Sequence, residues 1–149
     1  MTIQLAELTP DNVVAACRIE VAPDQQKFVA PVAWSLAEAY VHQATAWPRL
    51  IMDDDHPVGF VMANFDPEHE IAAFRAGIWR LNIAAGQQGR GYGAFAVGQV
   101  AQEARRRGVS RITVLWLAGD GGPEGFYLRQ GFRPTGEEMD GEIVGELLL

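Results

Sequence analysis

The chain has little cysteine, few cations and no long apolar run, and each shortage removes a class of protein. Its 149 residues include one cysteine, Cys17, which cannot close an internal disulfide, and no His/Cys cluster has metal-ligand spacing. Cys17 is expected to be a buried small hydrophobe rather than a reactive thiol, as free cysteines usually are. Lys and Arg total 12 against 19 Asp and Glu, a net charge of −7. An interface that neutralises many phosphates needs clustered cations, so no nucleic-acid partner is expected. The one basic cluster, Arg105-Arg106-Arg107 before Gly108, reads as the carbonyl end of a helix, where cations complement the dipole. No uninterrupted run of about 18 apolar residues occurs, and Met1 to Leu5 has no basic stretch leading into an apolar one. No membrane association and a cytoplasmic location are expected.

What is present suffices for one core. The length fits a single domain, residues 1–149, and 48% apolar composition supplies its interior. Ile3 to Glu7 alternates as a short strand, and Thr9-Pro10 then predicts an N-cap and a helix to about Glu20. Pro23 to Pro31 is polar and proline-bounded, and Ser35 to Ala46 predicts a second helix with Leu36, Tyr40 and Ala44 on one face. From Arg49 to Ala63 the pattern is strand, turn and strand, with Asp53-Asp54-Asp55 as a solvated turn. Ala73 to Ile83 continues antiparallel. Then come a glycine loop, a helix (Ala94 to Arg107), a strand (Arg111 to Leu117) and a second glycine loop. A helix (Glu124 to Gln130) and strands near Phe132 to Thr135 and Ile143 to Leu148 close the order βααβββαβαββ. A hairpin beside a parallel βαβ crossover gives an α+β class: a mixed, largely antiparallel sheet of about seven strands with about four helices on its faces.

Of 16 glycines, 15 lie at or after Gly77, so backbone-permissive positions gather where both glycine loops stand. Gln88-Gly89-Arg90-Gly91-Tyr92-Gly93 follows a strand and opens a helix, so unhindered amides converge at the positive end of that helix and an anion should bind. Arg90 can add a charge-assisted hydrogen bond. A Walker A loop needs Gly-Lys followed by Ser or Thr, which is absent. Gly89, Gly91 and Ala94 do fit the dinucleotide pattern G-x-G-x-x-A, but five residues separate the strand from the first glycine and too little chain follows for a doubly wound sheet.

Gln88 to Gly93 also matches the Q/R-x-x-G-x-G/A signature, and through it the chain resembles the GNAT superfamily of N-acetyltransferases. Ile78-Trp79-Arg80-Leu81-Asn82-Ile83 is similar to that superfamily's preceding strand, and Phe126-Tyr127-Leu128-Arg129-Gln130-Gly131-Phe132 to its LYxxxGF segment. Pro23 to Val29 and the stretch Thr135-Gly136-Glu137 to Asp140-Gly141-Glu142 further resemble bacterial diamine and spermine/spermidine acetyltransferase-like members.

The resemblance implies acetyl-CoA as co-substrate and a fold in which two parallel strands splay to admit its pantetheine arm. The backbone of Leu81, Asn82 and Ile83 would pair with that arm, and amides from Gln88 through Gly89, Arg90, Gly91 and Tyr92 to Gly93 would hold the diphosphate. Asp120, in place of the usual Asn, would contact the cofactor or a water beside Tyr127. Tyr127 would be the general acid, since a phenol near pKa 10 stays protonated at neutral pH and outlasts a thiol near 8.5. No carboxylate lies between Gly77 and Ile83, so the proton of the attacking ammonium is assigned to Glu142 through a water relay, with Glu20 as the alternative.

The activity implied is transfer of an acetyl group to a primary amine by direct attack in a ternary complex. The net charge of −7 is permissive for a small cationic, polyamine-like acceptor. A non-catalytic acyl-CoA or amine sensor on the same fold is the competing reading, and Asp120-Gly121-Gly122-Pro123 is its best support. The four tryptophans are expected mainly to pack the core. Leu147-Leu148-Leu149 and open strand edges are compatible with a homodimer.

Overall fold

The computed structural model describes residues 2–149. Its third strand, β3 (His56–Phe65), shows how the sheet is covered. Side chains alternate along it, Phe60 and Met62 on one face and Val61 and Ala63 on the other, and all four are fully buried. A strand apolar on both faces needs cover on both. On the Phe60 face that cover is α1 (Val13–Cys17) and α2 (Val32–Val41), through Ala16, Val32 and Ala39. On the Val61 face it is α3 (Tyr92–Arg106), through Ala96, Val97, Val100 and Ala104, and α4 (Glu124–Arg129), through Tyr127.

Strands β1 (Ile3–Ala6), β2 (Ala46–Asp53), β3 and β4 (Ala76–Ile83) form an antiparallel meander. β5 (Arg111–Trp116) lies parallel beside β4, and β7 (Glu142–Leu148) is inserted between β5 and β6 (Arg133–Met139). The seven-stranded order is β1-β2-β3-β4-β5-β7-β6. The class, the mixed and largely antiparallel sheet and the four α-helices agree with expectation. Two 3₁₀ segments, Pro23–Phe28 and Ala72–Phe74, are additional.

Three local expectations need correction. The helix drawn from Thr9-Pro10 to Glu20 is the five-residue α1. Thr9 does not cap it. The Thr9 amide donates to Asn12 Oδ1 at 2.8 Å and Asn12 Nδ2 donates to the Glu7 carbonyl at 3.0 Å, so a side-chain-closed turn uses up the chain that would have been the first helical turn. Within α1, Ala16 takes the buried position, and Cys17, about 100° further round, is exposed rather than buried. Finally, α2 stops at Val41 and β2 begins at Ala46, so Pro48 lies inside a strand. It is tolerated because β1 pairs with β2 only from Leu50 onward, leaving Pro48 without a partner on that side.

The contact between β4 and β5 is short. They pair only at Gly77↔Thr113 and Ile78↔Val114. Gly77 permits the approach, since a Cβ there would stand 2.3 Å from the Thr113 carbonyl oxygen. One residue later β4 departs. Its register against β3 passes from Ile78↔Ala63 to Arg80↔Met62, so Trp79 is an extra, unpaired residue, a bulge that turns the strand away from β5.

Candidate active site

Beyond the bulge, Arg80 to Ile83 pair with β3 on one side and with no strand on the other. That open edge borders a cleft of about 1400 Å³. Leu81 and Ile83 line it. Asn82 does not: it is 2% exposed, and its Nδ2 donates at 3.0 Å to the carbonyl of Ala30, pinning the segment before α2. Its backbone faces Phe60 of β3, in the alternation that also has Ala84 donate to Val58, so Leu81 and Ile83 present the backbone groups open to the cleft.

The edge leads into the glycine loop. Gly89 and Gly91 have φ of +77° and +85°, and a Cβ at either would have nothing within 4 Å. The loop is open on its outer side. Among the described residues no backbone carbonyl accepts from the amides of Gln88 to Gly91, and the first amides of α3 lack helical partners by geometry. Gln88, Gly89, Gly91, Tyr92 and Gly93 line the cleft, while the exposed Arg90 side chain does not. Gly93 has a second role: a Cβ there would press on the Phe126 ring at 3.0 Å. Partnerless amides, space above them and a helix N-terminus fit a diphosphate, and the open β4 edge fits an amide-bearing arm. The residues present thus suit coenzyme A.

Tyr127 enters the cleft wall from α4. Its ring stacks on Trp116 (centroids 5.8 Å, 14° between planes) and meets Phe126 and Phe132 edge-on. Trp116 is itself fixed by a 2.8 Å hydrogen bond from Nε1 to Glu124. Burial pushes the Tyr127 phenol far above the ordinary tyrosine value, so it stays a proton donor.

Glu142 opens β7 after a tight turn in which Asp140 and Gly141 have positive φ, and it also lines the cleft. Burial raises its carboxyl pKa, Asp140 raises it further, and Arg80 opposes both. Glu20 is exposed and outside this cleft. Asp120 is exposed too, and the wall beside it is formed by Gly121, Gly122 and Pro123 instead.

Sequence reasoning passed over Arg80 and His42 on this cleft and Glu38 beside it, and for Trp34 it favoured core packing over a place in a pocket. Arg80 donates to Glu38 of α2 at 2.8 Å, and His42 meets Trp79 edge-on at 5.8 Å. Trp34, 64% exposed, lines the same cleft, whereas Trp116 is core. An arginine inside the apolar run Ile78 to Ile83 was a usable signal; its partner 42 residues away was not. Among the described residues there is no cluster of His, Cys, Asp and Glu suited to a metal, and no helix is long and apolar enough to cross a membrane.

Comparison with known proteins agrees with this geometry. The fold is similar to that of an acetyltransferase from Thermus thermophilus (21% identity, TM-score 0.72, covering 100% of this chain and 98% of that one). It is similar to PaiA N-acetyltransferase from Thermoplasma acidophilum in complex with coenzyme A (13% identity, TM-score 0.67, 100% of both chains). It also resembles the ribosomal-protein-S18-alanine N-acetyltransferase of Escherichia coli (17% identity, TM-score 0.69, 99% and 94%). No curated protein matches the sequence significantly. The Acetyltransferase (GNAT) family matches residues 15–132, most of the length and every cleft-lining residue except Asp140 and Glu142. With an open strand edge, an amide loop and a buried phenol on one cleft, the chain belongs to the acetyltransferase (GNAT) family.

Proposed function

We propose that this chain transfers an acetyl group from acetyl-CoA to a primary amine of a small cationic, polyamine-like acceptor, by direct attack in a ternary complex. The observation that carries the reading is the partnerless edge of β4 running into the partnerless amides of the glycine loop, with Tyr127 on the facing wall. Bound acetyl-CoA supplies a thioester carbonyl open to attack by an amine.

The chain's own groups do the rest. Backbone of Leu81 and Ile83 aligns the pantetheine arm, Asn82 between them being turned to β3, and amides from Gln88 to Gly93 hold the diphosphate. Tyr127, which burial keeps protonated, donates its proton to the departing thiolate as the C–S bond breaks; with the thiol pKa near 8.5 and the phenol above 10 this transfer is uphill, so collapse of the tetrahedral intermediate drives it and the phenolate regains its proton from solvent. Glu142 accepts the ammonium proton through water before attack. Its pKa, raised by burial, makes its carboxylate a better base than a solvated glutamate.

A cationic acceptor is supported by Asp66, Asp140 and Glu142, which line the cleft while the charge of Arg80 is matched by Glu38. Lys27 and Arg129 line it as well, so the acceptor reads local carboxylates rather than the net charge. The resemblance of Pro23 to Val29 to diamine and spermine/spermidine acetyltransferases supports the same class.

The test is thiol release from acetyl-CoA over a panel of diamines, polyamines, amino acids and peptides, with the product identified by mass spectrometry. Turnover confined to polyamines bears the proposal out, and turnover only with amino acids or peptides removes the acceptor class. Coenzyme A binding without turnover on any amine would favour a sensor on the same fold.

A further inference from the structure

The loop from Ala84 to Gly91 is tied down unevenly. Its first half is held by the sheet and α1 region: Ala84 donates to Val58, Ala85 to the Glu20 carbonyl at 2.8 Å, and Gln87 back to Ala84. Its second half has no backbone acceptor among the described residues, and it contains two glycines in the left-handed region, whose missing side chains offer no steric restraint. Amides intended for a diphosphate need fixed directions, so something must hold this half from the far end.

The first side chain after it is Tyr92. Lying between Gly91 and Gly93, Tyr92 is 3% exposed and points into the core beneath the loop, where its hydroxyl donates to the carboxylate of Asp53. Asp53 is the last residue of β2 and is itself immobilised from both sides, paired with Ile3 of β1 and with His56 of β3. The neighbouring Asp54 adds a clamp, exchanging hydrogen bonds with Thr2. A rigid corner of the sheet thus grips the residue whose own amide belongs to the anion site.

We infer that Asp53 is a positioning residue for coenzyme binding: through the Tyr92 hydroxyl it fixes the directions of the loop amides that meet the diphosphate. The inference rests on the proposed reading of the cleft. It assigns Asp53 no contact with substrate. Because the brace acts on the diphosphate end alone, it should matter for coenzyme A and not for a donor that lacks the nucleotide.

Calorimetry with two ligands separates this from a general contribution to folding. Asp53→Ala should weaken coenzyme A about tenfold and leave S-acetylpantetheine binding within twofold of wild type. Asp53→Asn keeps an acceptor oxygen for the phenol and should restore coenzyme A affinity to within about threefold. Tyr92→Phe should reproduce the Asp53→Ala loss, and the double variant should be no weaker than either single one, as for two residues sharing one interaction. The inference is overturned if Asp53→Ala binds coenzyme A as wild type does, if it loses both ligands equally, or if Asp53→Asn behaves like Asp53→Ala. Failure of the wild-type chain to bind coenzyme A at all would instead overturn the reading of the cleft.

Discussion

Arg80 and Glu38 meet at 2.8 Å across 42 residues of chain, joining the bulged end of β4, where Arg80 lines the cleft, to α2. Both side chains are partly buried, so the pair is worth about 1 kcal/mol, more through what it neutralises than through what it stabilises. Glu38→Gln leaves the guanidinium charge unmatched beside Glu142. The KM for a cationic amine should rise about fivefold, with the KM for acetyl-CoA unchanged. Steady-state kinetics with each substrate varied in turn would check this, and an unchanged amine KM would place the acceptor elsewhere.

Tyr127 is held by aromatic rings on three sides, so removing its hydroxyl should leave the fold intact. Tyr127→Phe should lose roughly a hundredfold or more in kcat while coenzyme A affinity stays within twofold, the range general acid catalysis supplies. The acid must be protonated to act, and burial raises its pKa, so no alkaline limb from Tyr127 should appear below pH 10. Stability follows the same sign. With the folded pKa above the unfolded one, the contribution of neutral Tyr127 is complete below about pH 10 and is lost as pH climbs toward the folded value.

For Glu142 the linkage to stability has the same sign as for Tyr127, while the rate responds in the opposite sense. A base must be ionised, so a carboxyl pKa raised mainly by burial moves the acid limb of kcat/KM above the ordinary glutamate value. A raised carboxyl pKa also means the charged form is less welcome in the folded chain than in the unfolded one, so at neutral pH this group detracts from stability. Glu142→Gln should therefore slow turnover by roughly two orders of magnitude and leave Tm equal or higher. A fall in Tm with full activity would refute the assignment.

Two glycines outside the loops give opposite expectations. A Cβ at Gly145 of β7 would lie 2.4 Å from the Trp116 ring, which carries Tyr127 on its face. Gly145→Ala should cost about 1–3 kcal/mol by overpacking and lower kcat as Tyr127 shifts. Gly98 on α3 has nothing within 4 Å of an added Cβ, so Gly98→Ala should stabilise by roughly 0.5–1 kcal/mol with kinetics unchanged. Thermal melts and turnover on the same preparations would test both.

Local chemistry was legible in the sequence and long-range pairing was not. The apolar run Val58 to Ala63 after a turn and the glycines before Tyr92 each report on neighbours within a few residues, and they located β3 and the loop that opens α3. Tyr127 and Glu142 were singled out because a segment match pointed to one and chemistry demanded the other, and both line the cleft. The placement of β7 between β5 and β6, the Arg80–Glu38 pair and the Tyr92–Asp53 bond join residues far apart in the chain, and no local pattern encodes them. Thr9-Pro10 misled for a related reason: Asn12, three residues on, closes a turn with its side chain before the helix can start. Asp120 stood out by position in a motif, yet its side chain faces solvent.

The two register pairs that join β4 to β5 divide the molecule mechanically. Strands β1 to β4 form one plate and β5, β7 and β6 another, and across most of the seam no ladder of hydrogen bonds links them. A ligand lying along that seam would act as a rivet between the plates. Amide exchange in β4 beyond Trp79 should slow when coenzyme A is present, and the ligand's grip on the domain would then be read in how reluctantly its halves breathe apart.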